Sequence, residues 1–88
     1  MTSAAKKIYT IRVRNLMNEK GIRAKGRPFS GIDIAETLGV DPSMVNETIR
    51  FNKTSARVRR GIAAFLKAPY GYCWGEPDPE QNDSKRSA

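Results

Sequence analysis

The signal that most constrains the fold of this chain is a glycine followed two residues later by Asp41-Pro42. Aspartate is a preferred N-terminal cap of a helix, and proline is favoured at the first helical position because its φ angle already suits the helix. Gly39 can adopt the positive φ with which helices often end. These positions predict a tight turn between two short helices, the second of which runs from Pro42 to about Phe51.

Similar signals place a helix on each side of this pair. An earlier helix is predicted from Ile8 to Lys20, because apolar residues recur on one face and Gly21 supplies a stop; these residues are Tyr9, Val13, Leu16 and Met17. The segment RAKGRPF (23–29) is predicted to be a loop. Ser30 then caps the second helix in a capping box with Asp33, and the inner face of that helix carries Ile34, Ala35 and Leu38.

The fourth helix is predicted to start after Thr54 or Ser55 and to stop at Pro69. Its apolar residues follow a helical spacing, at Val58, Ile62, Phe65 and Leu66. A short non-helical strip follows, in which Tyr70, Tyr72 and Trp74 close the core against the fourth helix or form a dimer seam. Cys73 is expected to be a small packed hydrophobe.

No alternation typical of β-strands occurs, so the predicted fold class is all-α, a compact bundle of four to five helices containing a helix-turn-helix. Eighty-eight residues suffice for one core. We divide the chain into a flexible basic N-terminus (1–7), the helical domain (8–75) and a disordered acidic tail (76–88).

Composition excludes several function classes. The chain has no histidine, which removes the usual general base and the commonest metal ligand, and its single cysteine rules out an internal disulfide. The longest apolar run, Ile62 to Leu66, is far too short to span a bilayer. We therefore expect a cytoplasmic binding module with no catalytic residues, no cofactor, no metal and no small-molecule substrate.

Charge favours a polyanionic partner. The net charge is +7, and residues 76–88 contain four acidic and two basic residues, which leaves +9 for residues 1–75. Such a density of positive charge favours nucleic acid through the release of counterions, although a basic excess can also serve solubility alone.

The segment GIDIAETLGVDPSMVNETIR (31–50) has the spacing of a helix-turn-helix, with a small residue at Ala35 and a glycine four positions later. With VRNLMNEKGI (13–22) and IRFNKTSARVRRGIAAFL (49–66), it resembles the lambda-repressor/Cro-type family of DNA-binding proteins. The ending LKAPYGYCWGEP (66–77) is similar to that of Ner-type phage repressors. Thr48 departs from the family pattern, which usually has an aliphatic residue there, and the basic loop is longer than in the family.

The third helix would be the recognition helix of such a protein. Val45, Thr48 and Ile49 are expected to face the core. The opposite side is expected to contact bases in the major groove, through Ser43, Asn46, Glu47 and Arg50. The alternative for this face is an ordinary solvated helix surface.

Phosphate contacts are expected from three places. Ser30 and Gly31 offer backbone N–H groups at a helix start. The segment after the third helix offers Asn52, Lys53, Thr54 and Arg57, whereas Arg59 and Arg60 are expected to be solvated. Arg23, Lys25 and Arg27 either reach phosphate or a minor groove, or form a flexible charged loop.

The sequence thus predicts a sequence-specific binder of double-stranded DNA that regulates transcription, most simply a phage-type or mobile-element repressor that occludes a promoter. Its small size favours a homodimer, at least on DNA. Two alternatives stay open: the DNA-binding antitoxin of a toxin–antitoxin pair, with 76–88 as the toxin-binding segment, and a non-specific nucleic-acid-binding protein.

Overall fold

The computed structural model describes residues 1–79, and these residues form five helices and no strand. In chain order the helices are α1 (Ser3–Lys25), α2 (Gly31–Leu38), α3 (Pro42–Ile49), α4 (Ala56–Phe65) and α5 (Tyr70–Trp74). The radius of gyration of 13.0 Å is close to the value of about 12 Å expected for a compact domain of this length. The predicted fold class, a small all-α bundle, is confirmed.

The core lies where α2, α3 and α5 meet α4, with α1 packed along α5. Its largest fully buried side chain is Trp74. The buried apolar cluster to which Trp74 belongs has members in every helix, and its other fully buried members include Val13, Ile34, Val45, Ile62 and Leu66. The indole N–H of Trp74 donates to the carbonyl oxygen of Arg59 at 2.9 Å, so the one polar atom of this side chain is satisfied. Cys73 is also fully buried, as predicted.

The predicted starts of α2, α3 and α4 are confirmed because their caps are local interactions. Ser30 and Asp33 form a reciprocal capping box at the start of α2. Asp41 caps α3 and Pro42 occupies its first turn, while Ser55, one of the two predicted residues, caps α4. Gly39 ends α2 with a φ of 71°, as the predicted turn requires.

The predicted bounds of α1 are wrong at both ends. The helix begins at Ser3, so most of the segment 1–7 that we predicted to be flexible forms its first turns. It continues through Gly21 to Lys25, and the left-handed residue that ends it is Gly26, with a φ of 78°. Gly21 does not end the helix. Glycine is required there because a Cβ would overlap the backbone of Arg27 to Phe29, which packs against α1. The loop between α1 and α2 is accordingly shorter than predicted.

The end of the domain also differs from the prediction. Residues 70–74 form the short helix α5 instead of a non-helical strip, after a turn in which Lys67 has a φ of 54°. Glu76 and Asp78, which we assigned to a disordered tail, form ion pairs with Arg59 at 3.1 Å and with Arg60 at 2.9 Å. Arg59 is buried, which corrects its predicted solvation, and the Arg60 side chain is about one-third exposed. The rest of the predicted tail, 80–88, lies outside the described residues.

The outward face of α1 carries three exposed isoleucines, Ile8, Ile11 and Ile22, each more than half exposed. They lie opposite Val13 and Met17, which face the core. Among residues 1–79, no helix combines the length and apolar character needed to cross a membrane.

Candidate nucleic-acid interface

The two faces of α3 are divided as the sequence predicts. Val45, Thr48 and Ile49 are buried, and the hydroxyl of Thr48 donates to the carbonyl oxygen of Met44 at 2.7 Å. This hydrogen bond satisfies the one polar side-chain atom that Thr48 brings into the core. The other side of α3, which we call the α3 polar face, consists of three exposed residues and the half-buried Glu47; the exposed residues are Ser43, Asn46 and Arg50.

Two residues of the α3 polar face are held by neighbours. The hydroxyl and the backbone N–H of Ser43 both donate to Oδ1 of Asp41, each at 2.8 Å, and these bonds lower the pKa of Asp41. The side-chain amide of Asn52 donates to Oε2 of Glu47 at 2.7 Å. Asn52 therefore orients the Glu47 carboxylate, and the phosphate contact expected of Asn52 stays a prediction.

Asn46 brings the α3 polar face next to the start of α2. Its side-chain amide lies against Gly31, where an added Cβ would collide with the amide oxygen. Glycine at this position leaves room for the Asn46 side chain to lie against the start of α2. As a result, the predicted phosphate seat at Ser30 and Gly31 and the predicted base contact at Asn46 lie side by side.

An acidic side chain of the protein already occupies part of that seat. The Asp33 carboxylate accepts from the backbone N–H of Ser30 at 2.9 Å and from Lys25 Nζ at 3.0 Å, and Arg27 lies 3.7 Å away. The Ser30 N–H first, and then Lys25, lower the pKa of Asp33 to about 2. Lys25 and Arg27 thus neutralise a carboxylate in this structure.

The third residue predicted in the basic loop, Arg23, lies within α1 and pairs with Glu19 at 3.4 Å on the exposed surface. Such exposed pairs contribute little to stability. Arg23, Lys25 and Arg27 remain predicted phosphate contacts, each of which would have to leave or share a carboxylate.

The segment after α3 presents basic side chains without such partners. The chain turns at Phe51, which is buried with a φ of 65°, and leaves Asn52, Lys53 and Thr54 exposed. Within residues 1–79, neither Lys53 nor Arg57 forms an ion pair. Arg57 lines a hollow of about 530 Å³ together with Met44 of α3.

Sequence reasoning missed a basic surface on α1. A shallow groove of about 600 Å³ runs between the N-terminal half of α1 and the end of α3; it is lined by Ser3, Ala4, Lys6, Lys7, Thr10, Arg14 and Arg50. We call it the α1 groove. A signal existed, since Lys7, Thr10 and Arg14 lie at i, i+3 and i+7, but the predicted helix began after Lys7.

Other chemistry is sparse in the described part of the chain. Residues 1–79 contain no cluster of three or more potential metal ligands. Burial raises the pKa of the Cys73 thiol to about 11, so this cysteine stays protonated at neutral pH.

No protein-family model, no curated protein and no solved structure matches this chain. The surface itself combines an exposed polar helix face, a neighbouring helix start, and basic side chains near Met44 and near Arg50.

Proposed function

We propose that this protein binds double-stranded DNA sequence-specifically, with the α3 polar face in the major groove, and represses transcription by occluding a promoter in the cytoplasm. The observation that carries the proposal is the position of α3. Its polar side is largely exposed, and cations without an ion pair within residues 1–79 lie near it: Arg57 shares a hollow with Met44, Lys53 follows the helix, and Lys7 and Arg14 share a groove with Arg50.

The chemistry of the α3 polar face suits base edges. An asparagine can pair with adenine, a carboxylate can accept from the amino group of cytosine, and an arginine can bind guanine. Asn46, Glu47 and Arg50 supply these three groups within five consecutive residues. Because Asn52 holds Glu47 at 2.7 Å, that carboxylate enters the groove with its orientation already restricted.

Charge supports the same partner. Cations that already pair with carboxylates gain less from a phosphate, whereas the unpaired cations near α3 can neutralise phosphates and so release the counterions condensed on the DNA. We assign Lys53 and Arg57 to one phosphate strand, and Ser30 and Gly31 to backbone N–H contacts beside Asn46. Arg23, Lys25 and Arg27 are secondary contacts because of their ion pairs.

The proposal includes a second copy of the chain on the DNA, because one module of this size buries limited DNA surface. The exposed isoleucines of α1 suit such a contact. Ile8 and Ile22 lie seven residues on either side of Asn15, so two antiparallel copies of α1 crossing at Asn15 would pair them. The double variant Ile8→Ser/Ile22→Ser should bind single half-sites normally and lose cooperative binding to paired half-sites; unchanged cooperativity would exclude this face.

Selection of bound duplexes from a random pool tests the proposal. We expect enrichment of one motif with two related half-sites, separated by about one helical turn or a multiple of it. Enrichment of no motif, with equal affinity for unrelated duplexes, would show a non-specific binder instead. Absence of duplex binding at low salt would overturn the proposal altogether.

A further inference from the structure

The α1 groove carries positive charge that no carboxylate neutralises within residues 1–79. Four of its residues are cationic and exposed: Lys6, Lys7, Arg14 and Arg50. No carboxylate lines it, and within residues 1–79 none of the four forms an ion pair. By contrast, Arg23, Lys25, Arg27, Arg59 and Arg60 all pair with acidic residues.

Four like charges around one groove repel one another, and salt reduces this repulsion only in part. A bound anion would relieve it directly. The groove also contains Ser3 and Ala4, at the positive end of the 23-residue helix α1. The helix end and the four side chains are independent sources of positive potential, and both act on the same space.

The walls of the groove are fixed to each other. The hydroxyl of Thr10, within α1, donates to the backbone carbonyl of Ile49, at the end of α3, at 2.7 Å. Since Arg50 follows Ile49 directly, this bond sets the distance between Arg50 and the cations of α1. Arg50 is also the last residue of the α3 polar face, so the groove continues that face toward α1.

We propose that the α1 groove binds the phosphate backbone of the DNA strand that flanks the major groove entered by α3. The inference rests on the proposed function and adds to it a contact surface, with Lys6, Lys7 and Arg14 as phosphate ligands. Arg50 keeps its place among the base contacts, at the boundary between the α3 polar face and the groove. Two basic surfaces near α3 then contact phosphates, one with Lys53 and Arg57 and the other in the α1 groove.

The test compares two double variants that each remove two positive charges. Lys7→Gln/Arg14→Gln removes two positive charges from the groove, and Lys20→Gln/Lys67→Gln removes two positive charges from positions that do not line it. Binding of the full chain to the duplex selected by the wild type, and to an unrelated duplex, is measured by fluorescence anisotropy at several salt concentrations. Thermal unfolding verifies that each variant folds.

The expected size of the effect follows from counterion release. Each lost phosphate contact lowers the salt slope by about 0.9, which corresponds to a factor of about 8 in affinity at 0.1 M salt, so two contacts amount to roughly 60-fold. We expect this loss on both duplexes for the groove variant, and less than about threefold for the control. The charge-conserving variant Lys7→Arg/Arg14→Lys should bind like the wild type.

Two results would overturn the inference while leaving the proposed function intact. One is a groove variant that loses no more affinity than the control. The other is a groove variant that loses affinity only for the selected duplex, because that would make the groove a reader of bases. If the wild type binds neither duplex, the proposed function fails, and the groove assignment fails with it.

Discussion

Replacing Gly21 by alanine should destabilise the protein, although the same change in an ordinary helix stabilises it. An alanine in a helix interior is favoured over glycine by about 1 kcal/mol. Here the added methyl group would overlap the backbone of Arg27 to Phe29, which cannot rotate away as a side chain can. The loop would have to retreat, and with it the hydrogen bond from the Phe29 N–H to the Met17 carbonyl at 3.0 Å.

The magnitude follows from these opposing terms. Overpacking of a tight site costs about 1–3 kcal/mol, and the lost hydrogen bond adds about 1 kcal/mol. After the helix propensity is subtracted, the free energy of unfolding should fall by about 1–3 kcal/mol. Displacement of Phe29 would also disturb its edge-on contact with Phe65, whose ring centroid lies 4.8 Å away.

Urea denaturation followed by circular dichroism measures the effect. The control is Asn18→Ala, an exposed position in the same helix, which should gain about half a kcal/mol from propensity alone. If Gly21→Ala were as stable as the wild type or more stable, the loop would not lie against α1 as described.

Three further predictions concern single side chains. Asp33→Asn should lower the melting temperature at pH 6. Because the pKa of Asp33 is lowered to about 2, the stabilisation by its carboxylate is complete above about pH 4 and is lost toward pH 2. The melting temperatures of the two proteins should therefore converge near pH 2, and a difference that stays constant with pH would contradict this role of Asp33. Cys73 should react with a thiol reagent only when urea unfolds the chain, because burial raises its pKa to about 11; rapid modification of the folded protein would contradict its burial. Glu76→Gln should destabilise the fold by about 1 kcal/mol, since it leaves the buried cation of Arg59 without its carboxylate, and unchanged urea denaturation would show that this pair is not formed.

Features that depend on neighbours in the chain could be predicted from the sequence. The caps at Ser30, Asp41 and Ser55 join residues two or three positions apart, and the turn at Gly39 needs only its own φ. The division of α3 into a buried and an exposed face follows from helical periodicity.

Features that depend on distant contacts could not be predicted. Gly21 and Gly26 look equivalent in sequence, yet one allows a loop to approach and the other ends the helix. The burial of Arg59 depends on Glu76, seventeen residues later, and on the rings of Phe51 and Trp74 at 5.1 and 5.4 Å. In the same way, the α1 groove joins residues 3–14 to Arg50, and Thr10 of α1 contacts the end of α3 across 39 positions of the sequence.

The central claim is that the exposed side of α3 reads the base sequence, and repeating the duplex selection with Asn46→Ala/Glu47→Ala tests it most directly. The matched control is Asn18→Ala/Glu19→Ala, an exposed pair of the same residue types in α1. Each good base contact discriminates by about 1–3 kcal/mol, so preference at two base positions should fall roughly 5- to 150-fold each in the α3 variant, while the control selects the half-site of the wild type. If the α3 variant selected that half-site unchanged, α3 would not be the element that reads DNA.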